Sequence, residues 1–277
     1  MTAWHHLTLA SEERAPLFPG DARRLAAVRA LARTAGDRLA LFFVADDHVH
    51  VVAHAPDGAV GRLAHDLLLA LRAVAEAEVQ PARARPVAGR DHMRTLLDYV
   101  LTQTAHHGIP VHPALWAGSC LPDLLGARAI LGLDMQLCEA LPRVGEAVIL
   151  DAVGLGREPL VPAGDVALRM LGPARLAAAA ARSSGVVLKG REAPVVAARA
   201  AAAHLAREAG LPPALTAEAL GVTPRGERYL AGRPVPASLL LAVRRRVALD
   251  ERVAAHPPFL AAEAPPSYGR PLLDEPV

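Results

Sequence analysis

Apolar positions in the first hundred residues alternate between two spacings, and the switches mark out the elements. Residues 3–10 (Ala-Trp-His-His-Leu-Thr-Leu-Ala) read as a strand, followed by a turn-rich stretch over 11–21. Leu25, Val28, Leu31, Ala32 and Ala35 then fall on one helical face, with Arg23, Arg24, Arg29 and Arg33 largely off it, and Gly36 serves as a C-cap. Leu39–Val44 and His48–Ala53 are β-rich runs around the acidic turn Ala45-Asp46-Asp47, a hairpin pattern. Apolar residues at 60, 63, 67, 71 and 74 predict a second amphipathic helix over 59–77. Val79–Gly89 carries two prolines and makes at most a poor edge strand. Met93, Leu96, Leu97, Val100 and Leu101 predict a third helix over Asp91–His106, closed by Gly108 and Pro110.

The order β-α-β-β-α-(β)-α predicts an α+β fold, a ferredoxin-like antiparallel sheet with helices on one face. After residue 125 the pattern becomes helical and alanine-rich, and only Ala147–Val153 still resembles a strand. The expected organisation is an α+β domain over 1–125, a helical connector over 126–190, an all-helical unit over 191–255, and a Pro-rich tail over 256–277 expected to be extended or disordered.

Composition narrows the possibilities. The 277 residues carry 30 Lys+Arg against 28 Asp+Glu, a net charge of +2 that gives no overall field favouring nucleic acid or an anionic membrane. Lys189 is the sole lysine, so arginine counts reflect a general bias. Arginines interrupt every alanine-rich run before the roughly 20 apolar residues a membrane span needs. The N-terminal stretch has no signal-peptide pattern. Cys120 and Cys138 have no ligand-spaced partners, so no zinc or disulfide framework is expected. A cytoplasmic protein is the expectation.

Two short elements carry chemistry. His48-Val49-His50 places two imidazoles on the same face of a strand, a platform for a divalent metal or simply a pair of strand histidines. Tyr99 and Gln103 are four residues apart in the third helix, which stacks a phenol nucleophile and a neutral oxygen ligand on one face. Taken alone, that pair also fits a packed tyrosine beside a solvated glutamine. Histidines 5, 6, 54, 92, 106 and 107 are assigned no role.

Together, in this order and in these local structures, the two elements resemble the catalytic signature of the single-tyrosine HUH transposases, the insertion-sequence 200-like and REP-associated tyrosine transposases. Trp4-His5-His6-Leu7-Thr8 is similar to that family's first strand, Pro16-Leu17-Phe18 to its following turn, the run Ala45–Val52 to its metal-site hairpin, and Tyr99–Trp116 to its tyrosine helix and exit loop. The similarity covers residues 3–125. It implies Mg²⁺ or Mn²⁺ on His48, His50 and Gln103, with Tyr99 nicking and rejoining single-stranded DNA of hairpin or repeat-associated type through a 5′-phosphotyrosine link. Monomer and homodimer are both compatible. Asp47 stands where the family usually has Asn, and residues 80–90 offer Arg83, Arg85 and Arg90 to the DNA but no aromatic side chain.

Farther along, two helices around Gly221-Val222-Thr223, the second bearing Arg225, Arg228 and Arg233, match a helix-turn-helix and resemble the helical tail often fused to REP-associated transposases. Arg244, Arg245 and Arg246 add a basic cluster suited to phosphate. A helical bundle with a solvated arginine face is the plainer alternative. At the level of the whole protein, the alternatives are a catalytically decayed or domesticated transposase that only binds DNA and, less well supported, an unrelated metal hydrolase.

Overall fold

The computed structural model describes residues 2–56 and 58–256, and apart from His256 the expected Pro-rich tail lies outside them. Chain order is β1 (Thr2–Ala10), α1 (Gly20–Ala35), β2 (Leu39–Val44), β3 (His48–Pro56), α2 (Val60–Arg72), β4 (Arg83–Pro86) and α3 (Gly89–Leu101). The strands form one antiparallel sheet in the order β2-β3-β1-β4. This is a mixed α+β architecture.

Period-2 alternation on β1 sends Leu7 and Leu9 into the core and leaves His6 and Thr8 on the opposite face. β2 is buried at all six positions, so both sides of the sheet are covered there and helices are not confined to one face. α1 and α2 pack against each other, while α3 brings Tyr99 onto the face carrying His6 and His50. β4 is exposed throughout, and its Arg83, Arg85 and Pro86 blunt that edge against further strand pairing.

The β2 edge is closed by a later segment. Val44 N donates to the Gly118 carbonyl, 2.9 Å, and Phe43 bridges Ser119. Trp116 stacks on Phe43 with ring centroids 6.2 Å apart and donates through Nε1 to the Val44 carbonyl, 2.9 Å. Close approach here demands glycine, because a Cβ on residue 118 would lie 2.1 Å from the Val44 carbonyl oxygen. Gly118→Ala is therefore expected to cost about 1–3 kcal/mol through overpacking, read as a lower urea midpoint with unchanged slope.

Three sequence expectations change. The second helix stops at Arg72, where Val74 N turns to the Leu71 carbonyl, 3.0 Å, and the Arg72 guanidinium donates to the Val79 carbonyl, 2.8 and 3.0 Å. The third helix breaks at Thr102, and a short α4 (Gln103–His106) follows. There the Thr102 hydroxyl and the Gln103 side-chain amide bond the Asp98 and Tyr99 carbonyls, competing with the helical ladder. Residues 147–153 are not strand-like. They lie almost wholly in a helix, since short apolar runs fit either structure by periodicity alone and Gly145 provides an extended start.

The remaining elements are α5 (Leu121–Leu124), α6 (Leu137–Ala140), α7 (Glu146–Ala152), α8 (Asp165–Leu171), α9 (Pro173–Ser183), α10 (Ala193–Glu208), α11 (Pro213–Ala219), α12 (Pro224–Ala231) and α13 (Ala237–Ala255). The core does not stop at residue 125. One buried cluster runs from Leu7 to Leu160 and includes Leu249, and a second, alanine-rich one runs from Ala163 to Val247. α13 contributes to both.

Arg128 bridges Asp123 and donates to the Ala117 and Ser119 carbonyls, tying the edge-closing segment to α5. Both side chains of that ion pair are 3% exposed. No helix among the described residues is long and apolar enough to cross a membrane.

Candidate active site

The pairing of β1 with β3 sets Thr8 opposite His50 and Ala10 opposite His48, and the pairing of β1 with β4 sets Arg85 opposite His6 and Arg83 opposite Thr8. Opposed residues point to the same side, so one face carries a row from the exposed Arg83 and Arg85 through His6 and Thr8 to His50 and His48. α3 brings Tyr99 to this row.

The distances define a compact cluster. His48 and His50 lie side by side with ring centroids 4.8 Å apart. The Tyr99 hydroxyl is 3.4 Å from His50 Nε2, while His50 Nδ1 meets His6 Nε2 at 3.1 Å and Thr8 Oγ1 at 3.4 Å. His48 Nδ1 lies 2.6 Å from Asp47 Oδ1. Gln103, fully buried, donates through Nε2 to the Tyr99 carbonyl, 3.0 Å, and its Oε1 meets His107 Nε2, 3.0 Å. His107 packs against His48 at 4.8 Å and is exposed, so the cluster opens to solvent on that side.

Burial dominates the electrostatics. It holds His50 well below the ordinary histidine range, assisted by His48, His6, His107 and His106. His6 is pushed down to about 4 by burial, then by His92 and Arg85, and His107 to about 4 by burial, then by His48 and His106. At neutral pH these three rings are uncharged and keep a lone pair, the form that ligates a metal. Burial also raises the Tyr99 phenol, opposed by its hydrogen bond with Gln103, so the hydroxyl is protonated at neutral pH.

Of the expected site residues, His48, His50 and Tyr99 are in direct contact, whereas Gln103 joins them through the Tyr99 carbonyl and through His107. The donor types, two imidazoles and a carboxamide oxygen, are ones that a divalent cation takes. Asp47 at His48 Nδ1 leaves the Nε2 of that ring for the site, while His50 Nε2 faces the Tyr99 hydroxyl. Among the described residues no three His, Cys, Asp or Glu side chains converge as a metal-holding group, and of the expected donors only His48 and His50 belong to those four residue types.

His6 and His107 belong to the cluster although the sequence reading gave them no role. Alternation from Leu7 already placed His6 on the non-core face, and the strand register that brings it beside His50 is long-range information.

The arginines divide. Arg83, Arg85, Arg90, Arg225 and Arg228 are exposed. Arg244 pairs with Asp165 and Glu208, Arg245 with Glu146 and the Leu125 carbonyl, and Arg246, 3% exposed, lies 2.9 Å from Asp250. The triple arginine of α13 is therefore an internal tie, corrected from the phosphate-facing cluster that the sequence suggested. α11 and α12 meet across Leu220–Thr223, and the Thr223 hydroxyl caps α12 by accepting from Gly226 N, 3.1 Å. Tyr229, 66% exposed, joins Arg225 and Arg228 on the open side of α12. Comparison with protein-family models, with curated proteins and with solved structures finds no match to this chain.

Proposed function

We propose that the protein nicks and rejoins single-stranded DNA as a single-tyrosine HUH transposase-like enzyme. The observation that carries this reading is the Tyr99 hydroxyl 3.4 Å from His50 Nε2, beside His48, on a sheet face that continues into Arg83 and Arg85. The strand order β2-β3-β1-β4, with α1 and α2 linking β1 to β2 and β3 to β4, supports the ferredoxin-like layer that the same reading expects.

Mg²⁺ or Mn²⁺ held by His48, His50 and Gln103 would stabilise charge on the scissile phosphate and its leaving oxygen. Arg83 and Arg85, exposed on the edge strand, contact the phosphates leading to the site, with Arg90 at the start of α3. Tyr99 Oη attacks phosphorus, the P–O3′ bond breaks, and the products are a 5′-phosphotyrosine and a free 3′-OH. The phenolic proton lost is balanced by the one the 3′ oxygen takes up. Rejoining is the reverse with another 3′-OH, so the phosphodiester energy is conserved in the link and no nucleotide triphosphate is consumed.

A second reading, DNA binding without cleavage, is favoured by α12, whose open side presents Arg225, Arg228 and Tyr229 in a helix-turn-helix pair. One experiment separates the two. Full-length protein incubated with hairpin-bearing single-stranded oligonucleotides and Mn²⁺ is expected to yield an adduct that survives denaturation and disappears with EDTA. Retarded duplex in a native gel, with no adduct under any of these conditions, would decide for the second reading.

A further inference from the structure

We propose that Asp47 is a positioning residue that fixes the His48 ring with its proton on Nδ1, so that Nε2 presents a lone pair to the cation. The metal half of this statement rests on the function proposed above. The orientation half stands on geometry alone.

A carboxylate can only accept a hydrogen bond, and Asp47 Oδ1 lies 2.6 Å from His48 Nδ1. The shared proton must then sit on Nδ1, and a neutral ring so protonated has its lone pair on Nε2. The turn that carries Asp47 is itself held. The Asp46 carbonyl accepts from Leu17 N and Phe18 N at 2.6 and 2.9 Å, and the Asp47 carbonyl accepts from Ser11 N at 2.9 Å and the Ser11 hydroxyl at 3.3 Å. Arg24 reaches Asp46 from α1 at 2.7 Å while its guanidinium lies over the Trp116 ring, 3.7 Å from the centroid. On its other side the Asp47 carboxylate meets Arg14, 4.0 Å away. The carboxylate is thus placed by backbone bonds independent of the histidine. His50, by contrast, meets His6 and Thr8 at its Nδ1, so its ring should not respond to changes at Asp47.

The test pairs a spectroscopic readout with a binding one, both on the full chain. Imidazole ¹⁵N shifts report which nitrogen of His48 is protonated, and Mn²⁺ titration followed by electron paramagnetic resonance reports affinity. The wild type is expected to show His48 protonated on Nδ1. Asp47→Ala is expected to lose that preference and to weaken Mn²⁺ about 10–100-fold, with the His50 signals unmoved. Asp47→Asn keeps an acceptor oxygen and the side-chain volume, and should restore most of both. His48 protonated on Nε2 in the wild type, or unchanged Mn²⁺ affinity in Asp47→Ala, overturns the proposal. A wild type with Nδ1 protonated that binds no Mn²⁺ overturns the metal reading and leaves the orientation supported.

Discussion

Tyr99→Phe is expected to remove the covalent DNA adduct altogether, a loss of at least about 10³-fold in single-stranded cleavage. The substitution deletes one oxygen. That oxygen makes a long contact, 3.4 Å, with His50 Nε2, and its loss should cost the fold no more than about 1 kcal/mol. Mn²⁺ affinity should be unaffected or slightly increased, because His50 Nε2 no longer has a hydroxyl to accept from. The variant therefore isolates nucleophilicity from folding and metal binding. A mutant that still forms adducts at the wild-type rate would sink the assignment and turn attention to Tyr229, which is 66% exposed but lies on α12 in the helical region.

The largest effect on stability should come from Asp123→Ala. Asp123 and Arg128 are each 3% exposed at the side chain, and the Arg128 Nη1 and Nη2 groups already satisfy the Ala117 and Ser119 carbonyls. Removing the carboxylate leaves a guanidinium buried with carbonyl partners and no counter-charge, at a cost of about 3–5 kcal/mol. Thermal unfolding followed by circular dichroism should show a midpoint roughly 10 °C lower. Replacing both partners with apolar residues, Asp123→Leu with Arg128→Met, should be milder than the single change, because no charge is then stranded. Equal damage from the single and the double substitution would mean that the pair acts through packing rather than charge.

The β1 to β3 region was legible because its information is local. Alternation in residues 3–10, the Asp46-Asp47 turn and the helical spacing of Leu25 to Ala35 each fix an element without distant partners. His48 with His50 and Tyr99 with Gln103 were legible for the same reason, since spacing alone sets which face a side chain occupies. Most of what was missed depends on long-range contact. His6 joins the site only through β1–β3 pairing, and Gly118 is required only because its segment lies against Val44. Arg244, Arg245 and Arg246 look like a basic patch until their acidic partners, far away in sequence, are placed beside them. The break at Thr102 is a local competition between side-chain and backbone bonds that hydrophobic spacing does not register. His107, next to the opening, owes its position to that break.

α13 also constrains the order in which the chain is assembled. Its Leu249 is buried with the sheet, whereas its Val243 and Val247 are buried with the helical cluster that begins at Ala163. On a ribosome, the first core therefore waits for Leu249, its last buried member, while about 90 further residues emerge after Leu160, a delay on the order of 5–20 s at ordinary elongation rates. During that interval the sheet region is an unfinished intermediate with a vacant apolar seat, exposed to chaperones, and the arrival of one helix completes both cores together.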